Sequence, residues 1–118
     1  MISKKIVVQL ITSFCAKNGL TSWVLSPGSR NAPFTLTVAN DKRFENDSII
    51  DERSAAFIAL GKSLVTNRAT VLSCTSGTAS LNYSSAIAEA YYQKVPLLVI
   101  TSDRPQHWVG HGEGQSIK

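Results

Sequence analysis

The chain has 118 residues, 43% of them hydrophobic and 17% charged, which is the balance of one globular domain able to bury a core without disulfides or metal, not of a disordered segment. Its net charge is 12 − 8 = +4, but the cations are scattered, only Lys4-Lys5 and Lys42-Arg43 are adjacent, and no basic stripe with interleaved aromatics argues for nucleic acid. Cys15 and Cys74 form no C-x-x-C pair, and neither a signal-peptide pattern nor a bilayer-length apolar run is present, so a reducing cytoplasm is expected and membrane insertion is not.

Ser3 is placed to cap a first helix, in which Ile6, Val7, Leu10, Ile11 and Phe14 recur at helical spacing until Asn18-Gly19 stops it. Trp23-Val24-Leu25 reads as a short strand running into the turn Ser26-Pro27-Gly28-Ser29-Arg30. A second helix opens at Asn31 or Ala32 and carries Phe34, Leu36 and Val38. The run Ser48-Ile49-Ile50-Asp51 reads as the second strand, and residues 52–66 as a third helix. Residues 69–73 read as the third strand, followed by a turn at Thr75-Ser76-Gly77. Residues 79–93 read as one fourth helix, whose Ala79, Asn82, Ala86 and Ala90 make a face small enough for close packing on a sheet or another subunit. Residues 96–101 form a fourth strand, expected to be buried on both faces. Asp103-Arg104-Pro105 then breaks into a Gly-rich tail. The final Gly114-Gln115-Ser116-Ile117-Lys118 closes no element and reads as a cut, so a fragment of a longer protein is expected.

Strands alternating with helices at βαβ spacing predict an α/β domain, a doubly wound and mostly parallel sheet with helices on both faces. Right-handed crossovers put every strand-to-helix loop on one edge. Residues 26–30, 51–52, 75–78 and 101–104 are therefore expected to share a rim.

Glu52 is the most informative residue on that rim. A carboxyl group at a strand-to-helix junction, walled by Ala and Ile, is expected to lose much of its water, which favours its neutral, hydrogen-bond-donating form. The alternative is an ordinary helix-start carboxylate held by unpaired N–H groups. Residues 26–30 combine backbone N–H groups, two hydroxyls and a guanidinium, a set suited to an anionic oxygen; a turn with a solvated arginine reads equally well. Gly77 lets backbone approach a ligand closely. Ser76 lacks the G-x-S-x-G elbow of a nucleophile, and no Walker lysine follows Gly77. Gly110-His111-Gly112-Glu113-Gly114 fails the dinucleotide spacing, and His107 and His111 lack partner cysteines for zinc.

In order, the chain carries Ser-Pro-Gly-Ser-Arg, Asp-Glu-Arg-Ser-Ala-Ala-Phe-x-Ala-Leu-Gly, Cys-Thr-Ser-Gly-Thr-Ala-x-x-Asn, Pro-Leu-Leu-x-x-Thr-x-Asp-Arg-Pro and Gly-x-x-Gln. Together these closely resemble the N-terminal, pyrimidine-binding domain of the 2-succinyl-5-enolpyruvyl-6-hydroxy-3-cyclohexene-1-carboxylate synthase family, thiamine-diphosphate transferases of menaquinone biosynthesis. The resemblance implies that Glu52 donates to a ring nitrogen of the aminopyrimidine and so favours the tautomer that activates the thiazolium carbon. It implies that Gln115 orients a reacting group, and that Pro27, Gly77, Thr78 and Asn82 join Glu52 at the cofactor. Ser29, Arg30 and Arg104 are implied as ligands of the substrates, 2-oxoglutarate and isochorismate. Mg2+ or Mn2+ is implied with ligands in a C-terminal domain outside this chain, so no metal ligand is expected here. The intact enzyme is expected to be a homodimer or homotetramer, and residues 1–118 alone to be inactive. Two other readings stay open on the residues themselves: a non-catalytic nucleotide-binding α/β module, and a domain that serves assembly only.

Overall fold

A computed structural model describes residues 2–112. Helix α1 spans Ile6–Lys17, strand β1 Ser22–Leu25, α2 Ala32–Ala39, β2 Glu45–Ser48, α3 Glu52–Thr66, β3 Thr70–Cys74, α4 Thr78–Leu81, α5 Ser84–Gln93 and β4 Leu97–Thr101. The four strands are all parallel, in the order β2-β1-β3-β4. Alternate side chains of the central strands feed two cores. Trp23, Leu25 and Val71 pack with α1 and α2 on one face, whereas Val24, Leu72 and Cys74 pack with α3, α4 and α5 on the other. This is the doubly wound fold, with helices on both faces.

The chain leaves β1 over one face to reach β2, then crosses the other face to reach β3 on the far side of β1. The strand order therefore reverses between β1 and β3, and the loops after those strands diverge there. Such a switch point, at the carboxyl ends of the strands, is where open α/β sheets bind ligands. The expected common rim forms at this edge.

Several local expectations are corrected. The second strand is Glu45–Ser48, not residues 48–51; its four residues are all exposed, Ile50 is 83% exposed, and Ile49 only packs along the α3 core. An edge strand needs backbone pairing rather than apolar faces, and charged side chains suit it. Its register is set through Ser22↔Glu45 to Leu25↔Ser48, and an Ile49 N–H to Leu25 carbonyl bond of 2.9 Å extends the ladder. The expected single helix at residues 79–93 is two. The Thr78 carbonyl accepts Asn82 Nδ2 at 3.0 Å, while the Asn82 backbone N–H turns back to Ala79 at 3.2 Å. This side-chain competition tightens the turn and breaks the helix. Asn82 is consequently exposed, and Tyr83, wholly buried, joins Ala79, Ala86 and Ala90 in the core.

β4 is half-buried rather than enclosed, because it lies at the sheet edge with β3 as its strand neighbour. Helix α1 starts after Lys5, without a side-chain cap; Ser3 Oγ accepts the Lys5 N–H from outside it. Its buried residues are Val8, Thr12 and Cys15. Ile6, Val7, Leu10 and Phe14 are exposed, so the apolar stripe is wider than the sheet beneath it. No helix among the described residues is long and apolar enough to cross a membrane.

Candidate functional site

The loops after β1 and β3 are held tightly together. The Ser26 N–H donates to the Ser73 carbonyl at 2.8 Å. Gly28 lies so close to Thr75 that a Cβ at position 28 would stand 2.5 Å from Thr75 Cβ. Glycine is thus required here by close approach. Beyond Thr75, Gly77 has φ 74° and ψ −139°, a conformation open to glycine alone. The hydroxyls of Thr75 and Ser76 are buried and have no hydrogen-bond partner among the described residues. Unpaired buried hydroxyls call for an explanation, and beside a bare glycine backbone they suit a ligand with a polar edge.

Glu52 is the first residue of α3 and is half-buried. The wall of Ala and Ile expected around it is incomplete: Ala55 and Ala56 are buried below it, but Ile50 points to solvent. Glu52 stands in the first turn of α3, where the helix-start reading puts a carboxylate, but the N-cap itself is its neighbour. Asp51, not Glu52, accepts the Ser54 N–H, at 2.7 Å, and hydrogen bonding from Ser54, through its hydroxyl first and its N–H second, holds the Asp51 carboxyl below its ordinary range. With the cap provided by Asp51, Glu52 is available at the rim.

Cys74 and Tyr83 lie buried within the electrostatic reach of Glu52. Burial pushes the Cys74 thiol up; the Tyr83 hydroxyl opposes this and the Glu52 charge adds to it. Burial also drives the Tyr83 hydroxyl far up, against its bond to Ser26 Oγ at 3.4 Å and with added repulsion from Cys74 and Glu52. Both groups therefore stay neutral at physiological pH.

A cationic pocket adjoins the switch point. A cavity of about 290 Å³ is lined by Lys5, Ser29, Arg30, Asp103, Arg104 and Trp108, among others. A second, of about 260 Å³, shares Lys5, Arg30 and Asp103 with it. The Arg104 side chain is 1% exposed, with Nε 3.7 Å from Asp103 Oδ1. The structure thus brings Ser29, Arg30 and Arg104 together, as the rim argument requires. It adds Lys5, which sequence reasoning passed over as half of a scattered basic pair. The Ser3 N–H bond to Thr37 Oγ1, 3.0 Å, ties the Lys5 arm to α2. Pro27 is exposed on the loop after β1, and Thr78, also exposed, opens α4 directly after the loop that follows β3. Asn82 lies a turn further on, its amide directed to the Thr78 carbonyl. Gln115 lies outside the described residues.

A carboxyl group, a glycine-backed loop and a cationic cavity at one switch point define an α/β ligand-binding domain. The chain belongs to the family described as thiamine pyrophosphate enzyme, N-terminal TPP binding domain, which matches residues 6–118. It is 53% identical over 102 residues to a 2-succinyl-5-enolpyruvyl-6-hydroxy-3-cyclohexene-1-carboxylate synthase of Cytophaga hutchinsonii, covering 86% of this chain and 18% of that protein. It is 49% identical over 119 residues to the synthase of the same name from Flavobacterium psychrophilum, covering 100% of this chain and 22% of that protein. The chain therefore spans about a fifth of the length of these curated relatives. Among solved structures, the thiamine diphosphate-dependent 4-hydroxybenzoylformate decarboxylase of Rhodococcus jostii RHA1 superposes with a TM-score of 0.85 at 25% identity, over 95% of this chain and 21% of that one. Benzoylformate decarboxylase from Polynucleobacter necessarius shares the fold, with a TM-score of 0.81 at 21% identity over 98% of this chain and 21% of that one.

The residues present fit one end of thiamine diphosphate. Its aminopyrimidine is a flat ring with a polar edge; the glycine-only turn at Gly77 leaves backbone bare, and the orphan hydroxyls of Thr75 and Ser76 are polar groups of the kind such an edge needs. Among the described residues no three His, Cys, Asp or Glu side chains come together to hold a metal ion.

Proposed function

We propose that this chain is the pyrimidine-binding domain of a thiamine-diphosphate-dependent carboligase of menaquinone biosynthesis. The intact enzyme decarboxylates 2-oxoglutarate and adds the succinyl semialdehyde equivalent to isochorismate. The observation that carries the reading is Glu52 at the rim, relieved of capping by Asp51, in a chain whose curated relatives bear that synthase name over its full length.

Bound at this rim, thiamine diphosphate supplies the electron sink for decarboxylation and carbon–carbon bond formation. The chain's own residues bind, orient and hold a proton. Glu52 holds a proton against a ring nitrogen of the pyrimidine. Gly77 and Thr78 let backbone approach the ring, with Pro27 and Asn82 flanking it. Arg30 and Arg104 bind substrate carboxylates, charge-assisted contacts of the strong kind, and Ser29 adds a hydroxyl. Gln115 orients a substrate group. Mg2+ or Mn2+ and the diphosphate are held by a further domain of the intact protein, which works in the cytoplasm as a homodimer or homotetramer. This domain alone has no synthase activity.

The test is turnover of the intact enzyme with 2-oxoglutarate and isochorismate. Glu52→Gln keeps the shape and removes one proton position. We expect kcat to fall by about a hundredfold or more, as for loss of a general acid–base group, with cofactor affinity largely kept. A variant within about threefold of wild type, less than 1 kcal/mol in barrier, sinks the assignment.

A further inference from the structure

Asn31 is wholly buried and opens α2, yet its side chain does not cap that helix. Its amide reaches three strand ends instead. Nδ2 donates to the Ser26 carbonyl at 2.9 Å and to the Ser73 carbonyl at 3.3 Å. Oδ1 accepts from Ser73 Oγ at 2.7 Å and from Ser102 Oγ at 3.2 Å. A carboxamide has two N–H donors and an oxygen with two lone pairs, so every hydrogen-bonding position of this side chain is used. The Asn31 backbone N–H also closes its own loop, donating to the Gly28 carbonyl at 3.0 Å. The groups it joins follow β1, lie within β3 and follow β4. Arg30 immediately precedes Asn31, Arg104 stands two residues after Ser102, and both arginines line the same cavity.

We infer that Asn31 is the positioning residue of the cationic pocket, fixing the Arg30 loop against the Arg104 loop so that both guanidinium groups meet one anionic substrate. The inference rests on the proposed reading of those arginines as substrate ligands. Neighbouring residue types do not reproduce the arrangement. Aspartate would turn oxygens toward two carbonyls, glutamine would be one methylene too long for a closed core, and serine would reach one strand end but not three. A loop spacing loosened by even 1 Å is felt strongly in catalysis and binding.

The test uses the intact enzyme, four single variants and one double variant. Asn31→Asp keeps the shape and removes the donors. It should raise the KM for one carboxylate substrate about tenfold or more, because two hydrogen bonds are lost, each worth up to about that factor. Proton exchange at the thiazolium carbon should stay within about threefold of wild type. Ser102→Ala removes only the tie to the Arg104 loop, from a half-buried hydroxyl, and so settles the matter even if Asn31→Asp fails to fold. It should raise the same KM about two- to tenfold. In an Arg104→Ala background it should add nothing, because coupled residues are not additive. Thermal denaturation is followed alongside. A purely structural role lowers the melting temperature and leaves KM untouched; that result, or additivity of Ser102→Ala with Arg104→Ala, overturns the inference. If Arg30→Ala and Arg104→Ala themselves leave KM unchanged, the proposed reading of the pocket falls and Asn31's role with it. If they raise KM and Ser102→Ala does not, only the role of Asn31 falls.

Discussion

Replacing Gly28 by alanine perturbs the switch point with a single methyl group. The added Cβ would meet Thr75 Cβ at 2.5 Å, Cγ2 at 2.7 Å and Oγ1 at 3.1 Å, where carbon atoms prefer about 3.5–4.0 Å. Relief by rotating Thr75 is closed off, because the nearest atom is its Cβ, which moves only with the backbone. Both backbones are pinned, one by the Asn31 N–H to Gly28 carbonyl bond of 3.0 Å, the other by its place directly after β3. Overpacking of this kind costs about 1–3 kcal/mol. At about 4 °C per kcal/mol for a domain of this size, the melting temperature should drop by about 4–12 °C. Thr75→Ser should give no rescue, since serine keeps the Cβ. Thr75→Gly removes all three contacts, and in that background Gly28→Ala should become nearly neutral. Urea unfolding of the four species in the cycle measures the coupling. A Gly28→Ala loss below about 0.5 kcal/mol, or an equal loss in both backgrounds, refutes the reasoning.

Two further predictions concern acid stability and cofactor binding. Hydrogen bonding from the Ser54 hydroxyl and N–H holds Asp51 below its ordinary range and Arg43 does the same for Asp41, so each contributes stability that is present above the unfolded value of about 3.9 and lost as pH falls through the folded value. Asp51→Asn, which keeps a capping oxygen without the titration, should flatten the acid limb of a melting-temperature profile, and an unchanged limb contradicts this. The 118-residue chain should bind thiamine diphosphate weakly, because the rim fits only the pyrimidine end; calorimetry with magnesium giving micromolar affinity, about −8 kcal/mol, would show the pocket complete without another domain.

Much of the fold was legible because periodicity and turn residues agree over most of the chain. The third helix begins and ends where its pattern does, at Glu52 and Thr66. The common rim followed from crossover handedness alone. The second strand was not legible, since Glu-Asn-Asp-Ser has no apolar alternation and is a strand only because β1 offers it an open edge. The helix break at Asn82 turns on which donor takes one carbonyl, a competition that helical spacing does not encode. In the site, Glu52, Arg30 and Arg104 could be singled out by residue type and by position at strand ends. Asn31 could not: asparagine before Ala-Pro signals a cap, and only the three-dimensional meeting of Ser26, Ser73 and Ser102 turns its amide inward. Lys5 was hidden likewise, because its nearness to Arg30 depends on the arm tied to Thr37.

The central claim is that Glu52 governs the proton on the pyrimidine of a bound thiamine cofactor. Hydrogen–deuterium exchange at the thiazolium carbon, followed by NMR in the intact enzyme without substrates, reads that act apart from all later chemistry. Exchange should slow by about a hundredfold or more in Glu52→Gln, with the cofactor still bound, and stay near wild type in Arg30→Ala. Exchange in Glu52→Gln at the wild-type rate, with cofactor bound, would contradict the account.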